Sequence, residues 1–194
     1  IGNDSLGTNT TGSDNTSTGF EAMRLNTIGG NNTAIGRQAM RSNTSGSNNA
    51  ATGSASLQNN TTGTNNTVNG RLSLAYNTTG SGNTAIGQNA GSLISDKSTP
   101  ATILNNSIML GFNTSPLANN QSNQIAIGHD ANGLGSNTSV LGNLNTIFSR
   151  IWGRNLIATS IDNQVDALQV NGTANILINS YANDAAADAD TNLK

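Results

Sequence analysis

A 17-residue repeat runs through the first half of the chain and constrains its fold more than any other feature. One copy, Asn32 to Asn48, reads N-T-A-I-G-R-Q-A-M-R-S-N-T-S-G-S-N. Successive copies share a glycine at the same place, each one repeat length after the last: Gly2, Gly19, Gly36, Gly53, Gly70 and Gly87. Fixed periods of this length are typical of solenoids, in which one unit cannot bury its apolar face alone and its neighbours complete the core.

Each copy contains the elements of a β-coil. A unit of this length accommodates two strands of about five residues and two corners, so we predict a short strand, a bend, a second short strand and a tight turn. In most copies the turn reads Asn-Thr-x-Gly, as in Asn43–Gly46, because Asn bonds its own backbone and Gly adopts positive φ without a Cβ clash. Alternation places Thr33 and Ile35 on one face of the first strand, interpreted as its apolar face, and Ala34 and Gly36 on the other.

Apolar side chains are scarce in each unit. The steadiest apolar position is the pair Ala39-Met40, which recurs as Ala22-Met23, Ser56-Leu57 and Ser73-Leu74. So few buried apolar groups do not offset the conformational entropy that is lost when the whole unit is ordered. We therefore expect several copies of the chain to wind or pack together along one axis, with stacked Asn and Thr side chains forming ladders along it.

The composition excludes several classes of protein. There are 34 Asn and 24 Thr residues against 3% aromatic and 9% charged residues, and the net charge is −2. A polar chain like this could be disordered, but a disordered segment has no reason to keep a strict period. The charge balance argues against nucleic-acid binding. The sequence shows no run of 18 apolar residues, so we expect no membrane insertion. Because Ile1 falls inside a repeat, we expect a fragment or processed product with further repeats upstream.

The chain beyond the regular repeats of residues 1–95 divides into three predicted parts. Residues 96–143 are irregular coils with loops at 96–100 and 117–121. The repeat glycines continue there as Gly111, Gly128 and Gly142, and the last spacing is shorter than the repeat, which implies a tighter corner. Residues 144–179 hold more large apolar groups and an Asn-Gly hairpin signal, which predict a small C-terminal β region. Residues 180–194 form a polar, Ala-rich tail.

The unit N-T-A-I-G-x-x-A-M-x-x-N-T-x-G, together with the stretch Gln124 to Gly142, resembles the repeats of trimeric phage tail, neck or head fibres and of the YadA-like heads of trimeric autotransporter adhesins. The stretch Asp166 to Ala174 resembles one that often precedes a C-terminal intramolecular chaperone in such fibres. The resemblance implies an elongated, left-handed, parallel β-solenoid, or β-roll, assembled as a parallel homotrimer. It further implies a location on a virion or outside a cell, and a role in attachment. The implied partners are other virion proteins and a host surface glycan or protein receptor. The YadA-type unit is shorter than the repeat found here, and its length is matched only between Gly128 and Gly142.

No pattern in the sequence predicts an enzyme, a cofactor or a metal site. His129 stands beside Asp130, but a His–Asp pair without a nucleophile makes no triad and a metal needs several ligands, so a turn or surface position is predicted. Asp184, Asp188 and Asp190 lack the dense spacing of a Ca²⁺ loop. No repeat glycine is followed by the Lys-Ser or Lys-Thr of a phosphate loop.

Four arginines suggest a binding surface. Arg24 and Arg41 share one repeat position, and Arg37 and Arg71 share another, so together they would form a sparse cationic stripe. Such a stripe could hold phosphate or acidic sugar. The sequence favours the alternative interpretation, in which these arginines are solvated side chains that keep rods from sticking together.

A rival function is ice binding, because Thr16, Thr33, Thr67 and Thr84 would stack on one face, although Ala50 interrupts the row. The repeat, together with the resemblance to trimeric fibres, predicts a non-enzymatic trimeric fibre segment that binds a host surface or spaces the part that does. An autotransporter-type adhesin head and an ice-binding solenoid are the alternatives.

Overall fold

The computed structural model of the protein describes residues 1–143, and every regular element there is a short β-strand. The strands are β1 Thr16–Thr18, β2 Thr33–Ile35, β3 Ala50–Thr52, β4 Thr67–Asn69, β5 Thr84–Ile86, β6 Leu104–Asn105, β7 Ile108–Leu110, β8 Gln121–Ser122, β9 Ile125–Ile127 and β10 Ser139–Leu141. One eight-stranded sheet has the order β1-β2-β3-β4-β5-β7-β9-β10, and β6 pairs with β8. All these pairs are parallel.

Paired strands lie one repeat apart along the chain. Thr33 pairs with Thr16 on one side and with Ala50 on the other, one repeat length away in each direction. This register confirms the predicted all-β solenoid of parallel strands, with seven coils between β1 and β10. Both 1–95 and 96–143 supply strands to the same sheet. The handedness of the coils and the trimer stay predictions, and residues 144–194, with the predicted β region, the tail and its aspartates, lie outside the described residues.

The repeat glycines form one row at the ends of the strands, where successive coils approach closely. From Gly2 to Gly128 their φ angles lie between +126° and +142°, and the row continues to Gly142. A Cβ atom on Gly36 would stand 2.5 Å from the carbonyl oxygen of Gly53, and similar clashes recur along the row. Only glycine fits this approach.

The interior of each coil is lined by the middle residue of its strand. Ala34 and Ala51 are fully buried, whereas Ile35 is 42% exposed. The predicted alternation is therefore right, but the assignment of the faces is wrong, since Ala34 faces inward and Ile35 faces outward. In this coil the interior also holds the buried side chains of Met40 and Asn32, and the small Ala34 fits beside them, whereas Val68 and Met109 are buried at the same position of β4 and β7.

Each regular coil contains one strand and not the two predicted from its length. Residues 37–42 turn because Gln38 and Met40 have φ angles of 58° and 49°, and an extended strand requires negative φ. The backbone still bonds to the neighbouring coils. Gln38 N donates to the carbonyl of Phe20 at 2.8 Å, and Met40 N donates to that of Ser56 at 3.0 Å.

The apolar core follows the pair predicted from the repeat. Met23, Met40, Leu57 and Leu74, which hold the same place in successive copies, are fully buried, and one cluster of buried side chains continues to Ala131. A single narrow core therefore runs along the stack of coils.

The coil that joins β5 to β7 is longer than the others, since Gly87 and Gly111 lie further apart in the sequence than any other two successive repeat glycines. The added residues form a loop that closes with a bridge between Leu93 and Pro100, as predicted at 96–100. The second predicted loop, 117–121, adds no residues to its coil, and its last residue begins β8.

Asp96 organises the inserted loop. Its carboxylate accepts hydrogen bonds from the Thr99 hydroxyl at 2.6 Å and from the Thr99 and Ser98 amides at 2.8 Å. These bonds, first of all that of the Thr99 hydroxyl, lower the pKa of Asp96 to about 2.

The final coil is shorter than the regular ones. Its length follows from the pairing of β9 with β10, in which Ala126 lies opposite Val140.

Candidate functional site

The outward side of the eight-stranded sheet, here called the outer face, is a regular surface made of two rows. The first residues of the strands form one row: Thr16, Thr33, Ala50, Thr67, Thr84, Ile108, Ile125 and Ser139. The third residues form the other: Thr18, Ile35, Thr52, Asn69, Ile86, Leu110, Ile127 and Leu141. Neither row contains a charged residue, so this surface cannot bind a partner through ion pairs.

The outer face changes from polar to apolar along the stack. Strands β1 to β4 present mainly threonine. The later strands present six large apolar side chains, here called the apolar half: Ile86, Ile108, Leu110, Ile125, Ile127 and Leu141. The exposed fraction is 41% for Ile86, 39% for Leu110 and 58% for Leu141. Ile125 and Ile127 are half-buried. A contiguous, partly exposed apolar patch is typical of an interaction surface.

Glu21 lies between two of the four predicted stripe arginines. Its carboxylate is 2.8 Å from Nε of Arg41 and 3.9 Å from Nε of Arg24, and it accepts a hydrogen bond of 2.9 Å from Nε2 of Gln38. The hydrogen bond from Gln38, followed by the interactions with Arg41, holds the pKa of Glu21 below its usual value. These two arginines therefore share a counter-charge rather than presenting two free cations.

The other two arginines are more accessible. The guanidinium of Arg37 stands over the ring of Phe20, 5.8 Å from its centroid, in a cation–π arrangement. Arg71 is exposed. The predicted cationic stripe therefore has its charge partly balanced at the repeat position of Arg24 and Arg41, and it is exposed at the position of Arg37 and Arg71.

His129 lies in a turn after Gly128, as the sequence predicts, with 67% of its side chain exposed. Its ring stacks on that of Phe112, with centroids 5.3 Å apart, and Nδ1 is 3.1 Å from Oδ2 of Asp130. Asp130 in turn accepts a 2.6 Å hydrogen bond from the amide of Asn113. These contacts give His129 a packing role between successive coils.

Two rows of asparagine form the ladders that the sequence predicts, but their burial is a new finding. In the first row, Nδ2 of Asn43 donates to Oδ1 of Asn26 at 2.7 Å and to the carbonyl of Gly46 at 2.9 Å. The second row consists of Asn15, Asn32, Asn49, Asn66 and Asn83 and is mostly buried. The signal for it was an asparagine at the same place in five successive copies. These residues satisfy backbone groups of adjacent coils, which makes them structural.

Among residues 1–143, none forms a helix able to cross a membrane, and no group of three or more His, Cys, Asp or Glu side chains is placed to hold a metal ion. What this part of the chain does present is a parallel β-solenoid with an uncharged, partly apolar outer face. Comparison of the chain with protein-family models, curated proteins and solved structures gave no match.

Proposed function

We propose that the chain is a non-enzymatic segment of a homotrimeric fibre on a phage tail or head, which attaches the particle to a host surface or carries the part that does. The observation that supports this most is the outer face, whose two rows continue through eight strands and end in exposed apolar residues. On this proposal the coils are left-handed and the protein lies on a virion or otherwise outside a cell.

The architecture suits such a role physically. Each coil adds about 4.8 Å along the axis and requires only contacts with its neighbours, so repetition builds a rod. A rod offers the same side chains at every coil, and three copies multiply them again. Repeated weak contacts then add up to firm binding through high effective concentration. A host glycan or surface protein is the proposed receptor, and the exposed Arg37 and Arg71 are the residues available to an acidic glycan.

Binding to intact cells tests the proposal. Fluorescently labelled protein is incubated with a panel of bacterial strains, and saturable binding to at least one strain is expected, with competition by purified envelope polysaccharide or protein. Arg71→Ala is expected to weaken binding to an acidic glycan, whereas Thr62→Ala, on an exposed turn, serves as the matched control. Absence of binding to every surface would reject attachment and leave a shaft. An autotransporter adhesin head is the closest rival, and a membrane-anchoring β-barrel encoded downstream would favour it.

Ice binding is the second candidate because Thr16 pairs with Thr33 and Thr67 pairs with Thr84 on the outer face. Ala50 interrupts the row between these pairs, and the apolar half ends it. Thermal-hysteresis measurement separates the two functions, since inhibition of ice growth would favour the ice-binding solenoid over the fibre.

A further inference from the structure

We infer that a linear acidic polysaccharide binds lengthwise along the stack of coils, on the residues that directly follow the repeat glycines. These residues are called the flanking row here. The inference rests on the proposed attachment function and deepens it, because it names the ligand and the direction in which it lies. The members of the flanking row that carry the inference are Phe20, Arg37, Arg71, Phe112 and His129.

The flanking row is continuous and accessible. The close stacking of the repeat glycines brings each following residue beside its counterpart in the next coil, since a Cβ atom on Gly36 would stand 3.1 Å from the amide nitrogen of Ser54. Phe20 is 43% exposed and Phe112 is 44% exposed. The members between residues 20 and 129 are all exposed except the half-buried Ser54. A long ligand can therefore contact the row over its whole length.

Arg37 and Arg71 are the groups that select an anion. Among residues 1–143, neither guanidinium forms an ion pair, whereas the other two arginines of the predicted stripe share one carboxylate. Cζ of Arg37 stands 5.8 Å from the centroid of the Phe20 ring, which holds one face of the guanidinium. Its N–H groups remain available to bind a carboxylate in bidentate fashion. No acidic residue of the row between residues 20 and 129 opposes such a ligand.

The spacing of the two arginines favours a sparsely charged polymer. Arg37 and Arg71 lie two coils apart, which places their backbones about 10 Å apart at the usual strand spacing. Two linked sugar rings in an extended chain span a similar length, so a polysaccharide with an acidic group on every second sugar can reach both. An extended peptide repeats its side chains on one face about every 6.6 Å, and a nucleic-acid strand carries a phosphate at every nucleotide. Neither of these polymers matches the spacing as well.

Aromatic rings at both ends of the row suit sugar rings. Phe20 lies one coil before Arg37, and Phe112 lies two coils after Arg71. The ring of Phe112 stacks on that of His129, with centroids 5.3 Å apart. The flat apolar face of a sugar ring can pack on exposed aromatic rings of this kind. The row from residue 20 to residue 129 crosses six coil spacings, or about 29 Å, which accommodates an oligosaccharide of several rings.

A hyaluronan oligosaccharide, which carries a carboxylate on every second sugar, is the probe that tests the inference. Isothermal titration calorimetry with the full chain is expected to show saturable binding, and the carboxyl-reduced oligosaccharide is expected to bind at least about tenfold more weakly. Arg37→Gln and Arg71→Gln should each weaken hyaluronan binding at least about fivefold, because each removes a charge-assisted contact. The matched control Arg24→Gln, at the repeat position where Glu21 shares the charge, should change the affinity less than about twofold.

Phe112→Leu tests the direction of the ligand, because it keeps an apolar side chain and removes the ring. It is expected to weaken binding of a long hyaluronan oligosaccharide severalfold. Binding of a hyaluronan tetrasaccharide should be unchanged, since this probe is too short to contact Phe112 while its two carboxylates contact Arg37 and Arg71. Equal loss of affinity for both lengths, or for neither, would overturn the lengthwise arrangement.

The remaining outcomes separate this inference from the proposed function. Equal affinity for the carboxyl-reduced oligosaccharide, or equal losses in Arg24→Gln and Arg71→Gln, would overturn the inference. Tighter binding of a single-stranded oligonucleotide through the same arginines would make the flanking row a nucleic-acid surface and would overturn it as well. A wild type that binds bacterial cells but not hyaluronan would overturn the inference and leave attachment standing, whereas one that binds hyaluronan but no cell would reject attachment alone.

Discussion

Replacement of Asn49 by alanine tests whether the buried asparagines hold the coils together. Nδ2 of Asn49 donates to Oδ1 of Asn32 at 3.2 Å and to the carbonyl of Gly63 at 2.9 Å, and its Oδ1 accepts from the backbone and side-chain nitrogens of Asn66, both at 3.0 Å. Four hydrogen bonds at about 0.5–1.5 kcal/mol each contribute about 2–6 kcal/mol.

The loss of stability in Asn49→Ala should fall in the upper half of this range of about 2–6 kcal/mol, because the substitution leaves the buried Asn66 backbone amide without its acceptor. We expect Asn49→Ala to lower the free energy of unfolding by at least about 4 kcal/mol. Urea denaturation at one fixed protein concentration measures this, since association makes apparent stability depend on concentration. The control Thr62→Ala, on an exposed turn, is expected to change stability by less than about 0.5 kcal/mol.

Asn49→Asp refines the same test because it keeps the shape and removes the donors. Burial and the facing Asn32 oxygen raise the pKa of the new carboxyl in the folded state above its unfolded value of about 3.9. The pH-dependent part of the penalty is therefore absent below about pH 4, grows as the pH rises from the unfolded-state pKa, and is complete above the folded-state pKa. The asparagine ladder would not support the fold if Asn49→Ala were as stable as the wild type. The same conclusion would follow if the stability of Asn49→Asp relative to the wild type were equal at pH 3 and pH 7.

Three further predictions concern the backbone and one carboxylate. Gly53→Ala would place a Cβ 2.6 Å from the Gly70 carbonyl oxygen and is expected to cost more than about 3 kcal/mol in the same urea assay. Ala55 has φ of 56°, so Ala55→Gly should stabilise the fold by about 0.5 kcal/mol, whereas Ala51→Gly, within β3, should destabilise it by about the same amount or more. The Asp96 carboxyl should titrate by NMR near pH 2, and Thr99→Val should return its pKa towards 3.8. Its stabilising contribution is present above about pH 4 and is lost as the pH falls towards 2.

The register of the coils could be predicted because it follows from spacing alone. Gly36 and Gly53 must stack once a strand pairs with its copy in the next repeat, and the same argument places Asn26 beside Asn43. The shorter offset of β10 was also visible, in the interval from Gly128 to Gly142. Repetition supplies this information even where each short strand is too weak a signal by itself.

The direction of the strand faces could not be predicted from the same repeat. Burial of apolar residues is a one-way tendency, so Ile35 looked like a core residue. Its outward direction follows from the alternation of the strand once Ala34 is buried in the interior beside Met40. Positive φ at a large apolar residue such as Met40 contradicts local preference, and only the hydrogen bonds to adjacent coils explain it. The conformational preferences of single residues therefore do not predict this turn.

The pairing of Arg24 and Arg41 with Glu21 could be predicted by comparing residues one repeat apart. Glu21 occupies the repeat position of Gln38, three residues before that of Arg24 and Arg41, so it neighbours an arginine in its own coil and in the next. Counting charges by repeat position rather than along the chain would have shown that the stripe includes this carboxylate.

Hydrogen exchange of the asparagine side-chain amides tests the central claim most directly, namely that buried polar ladders hold these coils in register. In NMR spectra of selectively labelled protein, the side chains of Asn32, Asn43, Asn49 and Asn66, all buried, should keep their amide protons far longer than those of the exposed Asn31, Asn48 and Asn65. Equal and immediate exchange of both groups would contradict the stacked-coil structure.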